Sequence, residues 1–102
     1  MGVGMNAARL DLVQAGPMEQ LPTLRARIDE LDRGILQLID ERGRTVQRIL
    51  ALKQSAGVPV LDEAREQQVL ARLRGMHRGP HAWSGVERVF RLLLEISRGL
   101  AD

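Results

Sequence analysis

The sequence predicts an all-α domain of three helices, one long and two short. Three observations carry that expectation. Aromatic residues make up 2% of the 102 residues, only Trp83 and Phe90 with no Tyr, whereas β-sandwiches and barrels draw on aromatic and β-branched side chains. Leu dominates the apolar set, and Leu is a strong helix former. Apolar positions recur in alternating steps of three and four, the spacing of one helix face, across the Pro-free stretch between Pro22 and Pro59. The length suits one domain, and a content of 44% hydrophobic and 27% charged residues is too apolar for a disordered chain.

Residues 1–20 contain Gly, Asn and Pro, and Asp11 interrupts their one apolar patch. They read as a loose N-terminal extension, with the domain proper spanning 21–102. No early basic region precedes an apolar core, so they are not read as a secretory signal, which points to the cytoplasm. No apolar run approaches the ~20 residues of a membrane span. The first helix is expected from Pro22, a good first-turn residue, to Ser55, with Gly57 and Pro59 as the stop. Its seam reads Leu24, Ile28, Leu31, Ile35, Leu38, Val46, Ile49 and Leu52. At about 1.5 Å per residue such a helix is roughly 50 Å long, and a compact 100-residue globule has a radius of gyration of only about 13 Å. The economical cover for the excess is a second copy of the chain along the same seam. Gly57-Val58-Pro59-Val60-Leu61 forms an extended link, and Asp62 then stands where an N-cap belongs. The second helix runs to about Met76 with an inward stripe of Asp62, Glu66, Val69, Leu73 and Met76. A turn over 77–81 follows, in which His77 and His81 are expected to be solvated. Ser84-Gly85-Val86-Glu87 reads as a capping box for the third helix, whose stripe is Val86, Phe90, Leu93, Ser97 and Leu100.

Composition narrows the chemistry. The chain has no Cys, which excludes a disulfide scaffold, a thiol nucleophile and a thiolate zinc site; two His are too few for a His-based metal cage. The net charge is +2, and fourteen of the fifteen cations are Arg. Acids and bases alternate, which describes a mixed solvated surface and not a nucleic-acid footprint.

Two cations break the first helix's seam. The series 28, 35, 42, 49 is apolar except at Arg42, and Lys53, the only lysine, lies eleven residues further on. Eleven steps bring it within ~20° of the same face. Cations on an apolar face require a partner or an anionic ligand. In one reading both are salt-bridged to Asp62 and Glu66. In the other, Arg42 and Lys53 line an anion pocket rimmed by Asp62, Arg65 and Glu66. Arg25 lies about 100° round the helix from Arg42 and about 25 Å away along it, so it reaches such a pocket only from a second chain. Taken alone it reads as a surface arginine. Ser97 falls on an inward stripe, where a hydroxyl commonly bonds back to the carbonyl one turn earlier. No His or acid is spaced to make it a nucleophile.

Five segments carry a resemblance: Leu24-Arg25-Ala26-Arg27-Ile28-Asp29-Glu30-Leu31-Asp32, Leu38-Ile39-Asp40-Glu41-Arg42, Lys53, Pro59-Val60-Leu61-Asp62-Glu63-Ala64-Arg65-Glu66 and Leu94-Glu95-Ile96-Ser97. In order and spacing they resemble the all-helical chorismate mutase family, from Leu24 to about Ala101. The resemblance implies an intertwined homodimer whose two active sites each borrow one arginine from the other subunit. It implies rearrangement of chorismate to prephenate, on the route to Phe and Tyr, with no cofactor, no metal and no covalent intermediate. By the same resemblance, Arg25 of the partner and Arg42 hold the two carboxylates, and Lys53 donates to the ether oxygen and a carboxylate. Asp62 and Glu66 orient the ring hydroxyl region, Arg65 supports this wall and the substrate, and Ser97 contacts a carboxylate. The sequence departs from the family at Ala101, where Gln or Glu usually supplies a second donor to the ether oxygen, and a slow mutase is expected. An isochorismate pyruvate lyase, a 4-amino-4-deoxychorismate mutase, and a non-catalytic helical dimerisation module, regulatory or activated by a partner enzyme of the aromatic pathway, are the alternatives on this scaffold.

Overall fold

A computed structural model describes residues 16–101. The extension expected at the N-terminus lies, for residues 1–15, outside them. Three helices follow in order: α1 Pro17–Ala56, α2 Glu63–Met76 and α3 Trp83–Gly99. No strand occurs among the described residues, so the all-α expectation holds. No helix among them is long and apolar enough to cross a membrane. The described residues fall into two units, divided between Leu38 and Ile39.

In the first unit α1 begins five residues before the expected start. Gly16 is the cap: its carbonyl accepts from the N–H groups of Glu19 and Gln20, each at 3.1 Å, and its own N–H donates to the Glu19 carboxylate at 3.4 Å. Pro17 therefore takes the first helical position, where a missing N–H costs nothing. Pro22 lies inside the helix and gives up one bond there, and residues 17–20 are helical, not part of a loose extension. Leu24, Ile28, Leu31, Ile35 and Leu38 are between 44% and 66% exposed, so one chain leaves this seam uncovered.

The second unit begins at Ile39 and holds the rest of α1 with α2 and α3. Gly57 adopts φ 68°, the left-handed conformation that glycine takes without strain. It closes α1 with two bonds: the Val58 N–H donates to the Lys53 carbonyl at 2.9 Å, and the Gly57 N–H to the Gln54 carbonyl at 3.3 Å. Asp62 caps α2 as expected, its Oδ1 accepting from the Arg65 N–H at 3.0 Å. α2 packs on α3, and the buried residues are Leu70 and Leu94, 5% and 9% exposed. The expected α2 stripe needs correction: Met76 is 67% exposed, while Leu70, off that stripe, is the more buried of the two core residues. Glu66, Val69 and Leu73 of the stripe are half-buried beside Leu70, and Met76, the last residue of α2, lies beyond the packed part of the helix.

The capping box at Ser84 also does not form. α3 starts at Trp83 behind Ala82, which makes no side-chain cap bond. Glu87 is engaged elsewhere, accepting from Trp83 Nε1 and from Arg91 Nε, both at 3.1 Å. His77 is half-buried, not solvated: its N–H caps α2 on the Leu73 carbonyl at 2.9 Å, its Nε2 lies 2.6 Å from the His81 carbonyl oxygen, and its ring tilts against Trp83 with centroids 5.9 Å apart.

Candidate active site

Within the second unit, the C-terminal part of α1, the link with the start of α2, and α3 line an open cavity of about 200 Å³. Arg42, Lys53, Asp62, Arg65, Glu66 and Ser97 all line it. Arg25 does not; it is exposed on the N-terminal part of α1.

Arg42 is half-buried, and its guanidinium donates to Ser97 Oγ. The Ser97 hydroxyl donates in turn to the Leu93 carbonyl one turn earlier, at 2.7 Å. A serine has one proton and two lone pairs, so committing the proton to Leu93 leaves oxygen density for the arginine. The back-bond thus fixes one edge of the guanidinium, and the other edge keeps its donors.

Lys53 occupies the last turn of α1 and is held at both ends. Its carbonyl belongs to the glycine cap, and its Nζ donates to the Val60 carbonyl at 3.1 Å. One of the three ammonium donors is used in this way. The salt bridges among the described residues are Arg27–Glu30, Glu87–Arg91 and Glu66–Arg98. Neither Arg42 nor Lys53 is in one, which overturns the reading in which Asp62 and Glu66 neutralise them. Asp62 spends one oxygen on its capping role and remains exposed, as does Arg65.

Glu66 has a partner that sequence reasoning missed. Arg98 Nη1 donates to both Glu66 oxygens, at 2.8 and 2.7 Å, and Arg98 also lines the cavity. No periodicity links positions 66 and 98. The available signal was weaker: Arg98 continues a face of α3 through Glu87, Arg91 and Leu94 in steps of four, three and four. Counting the charged lining gives four cations, Arg42, Lys53, Arg65 and Arg98, against two carboxylates, Asp62 and Glu66. The surplus of two positive charges suits a dianion. Glu87 lies outside this lining; its carboxyl is held below the ordinary glutamate value, chiefly by the hydrogen bond from Arg91 and with help from the Trp83 indole.

Position 101 departs from the helix. α3 ends at Gly99, and the last bonds tighten to a three-residue spacing, Leu100 N–H to Ser97 and Ala101 N–H to Arg98, each at 3.1 Å. Ala101 does not line the cavity. Among the described residues no group of three or more His, Asp or Glu side chains is placed to hold a metal ion.

Residues 24–101 match the family described as chorismate mutase type II. A chorismate mutase of Methanocaldococcus jannaschii is 30% identical over 84 residues, 81% of this chain and 85% of that protein. An intracellular chorismate mutase of Mycobacterium tuberculosis is 30% identical over 93 residues, 91% of this chain and 83% of that one. The match to a bifunctional chorismate mutase/prephenate dehydratase of Stutzerimonas stutzeri, 38% identical, spans 74% of this chain but 22% of that protein. Among solved structures, chorismate mutase (form II) of Thermus thermophilus superimposes with a TM-score of 0.78 at 34% identity, over 80% of this chain and 93% of the other.

Proposed function

The chain belongs to the chorismate mutase type II family, and we propose that the cavity beside Arg42 and Lys53 is where it rearranges chorismate to prephenate. The observation that carries this reading is a pair of half-buried cations on a cavity wall, free of any salt bridge among the described residues. With no described carboxylate paired to them, both charges remain available to an anionic ligand.

The chemistry asks for shape and charge. Chorismate is a dianion with a flexible enolpyruvyl ether; its C–O bond breaks as a new C–C bond forms, and the ether oxygen gathers negative charge on the way. No proton needs to be removed and no nucleophile is required. In the proposed arrangement Arg42, steadied by Ser97, grips one carboxylate as a planar fork. Lys53 points a compact charge at the ether oxygen, already in place before the bond lengthens. Asp62, Arg65 and Glu66 hold the ring side, and Arg25 of a second copy grips the other carboxylate. The exposed seam of α1 supports that second copy, since five large apolar residues in helical register are otherwise left to water. A pathway partner and a cytoplasmic site of action belong to the same proposal. The fusion to prephenate dehydratase named for one relative supports the first, and the intracellular enzyme of M. tuberculosis supports the second.

The test follows loss of chorismate absorbance with the product identified, alongside isochorismate and 4-amino-4-deoxychorismate. Prephenate from chorismate is expected. Pyruvate release, or selective use of either other substrate, would replace this reading. The shared site is tested by mixing Arg25→Ala with Arg42→Ala protein. Random exchange makes half the dimers hybrid, each with one complete site of two, so about a quarter of parental activity should return. No recovery despite proven exchange would remove the shared site.

A further inference from the structure

We propose that Arg98 is a specificity-determining residue that makes the cavity prefer a ring hydroxyl to a ring ammonium. The inference rests on the reading of the cavity as a chorismate site and deepens it. Glu66 and Arg98 form an ion pair on that wall, with side chains 24% and 44% exposed. Both residues also line the next cavity, beside Leu61 and Gln67, so the pair is a partition between two spaces. Ion pairs this exposed add little to stability, so the consequence of this one lies in the charge it presents to a ligand.

An unpaired Glu66 would present a carboxylate to the ring. An amine on the ring is protonated at neutral pH and would be drawn to that charge, whereas a hydroxyl would gain only a hydrogen bond. Arg98 changes the comparison. A single guanidinium nitrogen spans both Glu66 oxygens, so the pair is neutral as a unit. A carboxylate has about four acceptor positions, which leaves lone pairs for a hydroxyl proton. An ammonium would instead meet a neutralised acid with a second cation beside it, and like charges repel. The wall thus retains its hydrogen-bond acceptor while losing its attraction for positive charge. Chorismate is favoured over 4-amino-4-deoxychorismate on this ground, without any difference in shape between the two.

The experiment compares kcat/KM for these two compounds in the parental protein, Arg98→Met and Arg98→Lys. Arg98→Met should move the ratio towards the amino compound by about two- to fivefold, and Arg98→Lys should restore most of the parental ratio. Calorimetric binding of both compounds, in the same three proteins carrying Lys53→Ala, reads the preference without turnover and should shift by the same factor. A merely structural role would lower both substrates equally. An unchanged ratio in a parent active on chorismate overturns this inference alone. A parent that neither binds nor rearranges chorismate overturns the mutase reading, and this inference with it.

Discussion

Replacing Lys53 by Ala separates two tasks of one side chain. The structural task is the bond from Nζ to the Val60 carbonyl at 3.1 Å. A charged donor on a carbonyl is worth about 1.5–3 kcal/mol when sheltered, but Lys53 is only half-buried and Val60 is 42% exposed, so water replaces much of what is lost. The stability cost is then about 1 kcal/mol, which lowers the Tm of a domain this size by about 4–8 °C. Native proteins hold about 5 kcal/mol or more in reserve, so the folded population at 25 °C barely changes. The proposed catalytic task is larger. Removing a preorganised donor to developing negative charge costs about 3 kcal/mol, on the order of a hundredfold in kcat. Steady-state loss of chorismate absorbance at 25 °C, paired with thermal melting, reads both. Lys53→Ala should lose at least a hundredfold in turnover for a few degrees of Tm. Lys53→Arg should keep the melting temperature and stay at least tenfold slow, because a planar fork spreads the charge that one oxygen needs. Turnover within about threefold of the parent in Lys53→Ala, with the same fall in Tm, would refute the reasoning and leave Lys53 a tether for the link.

Gly57→Ala places a Cβ at φ 68° in the cap of α1 and should cost about 1–2 kcal/mol, read as a fall in Tm; an unchanged Tm contradicts the cap. Glu87 titrates below its ordinary value because of Arg91 first and Trp83 after it, so its folded pKa lies under the unfolded one. Its stabilisation is present above the ordinary glutamate value and lost as pH falls through the lowered value, and Glu87→Gln should flatten Tm against pH in that window. Superimposable Tm–pH curves would contradict it. Ala101→Gln alone should raise kcat little, because position 101 follows the end of α3; combined with Gly99→Ala, which meets no atom within 4 Å and favours helix by about 1 kcal/mol, it should gain more. Equal turnover in the single and double variants would contradict the role given to the helix end.

What was legible in the sequence was local. Arg42 and Lys53 share a face because eleven residues are three turns, and no tertiary information is needed to see it. The cap at Asp62 and the stop at Gly57 follow from single residue types with one strong conformational preference. The start of α1 was misplaced because two prolines compete for the first turn, and the reciprocal bonds of Gly16 and Glu19 decide between them. The box at Ser84 failed for a related reason: Glu87 has two stronger donors, the Trp83 indole and the Arg91 guanidinium. The Glu66–Arg98 pair joins residues 32 apart, and only the packing of α2 on α3 brings them together. Leu70 and Leu94 became the core through the same packing, and no stripe drawn on one helix could choose between them and their neighbours.

The proposed site asks unequal precision of its cations. A guanidinium on a carboxylate acts on charge that is present before, during and after the rearrangement. Such contacts choose the folded conformer, and they tolerate small displacement because the anion can settle into the fork. The charge on the ether oxygen exists only while the bond is breaking, so the group facing it has no bound state in which to adjust and must be in position already. Under the proposal Lys53 meets that demand: its backbone is tied by the glycine cap and its ammonium by Val60, within one unit of the chain. Arg25 meets a looser one. It lies on an exposed stretch of α1, and in the proposed dimer it is supplied across a subunit boundary, where a residual error of position is absorbed by the carboxylate. In this proposal the anchoring of Lys53 and the exposed position of Arg25 are two answers to one question, whether the charge to be met is permanent or transient.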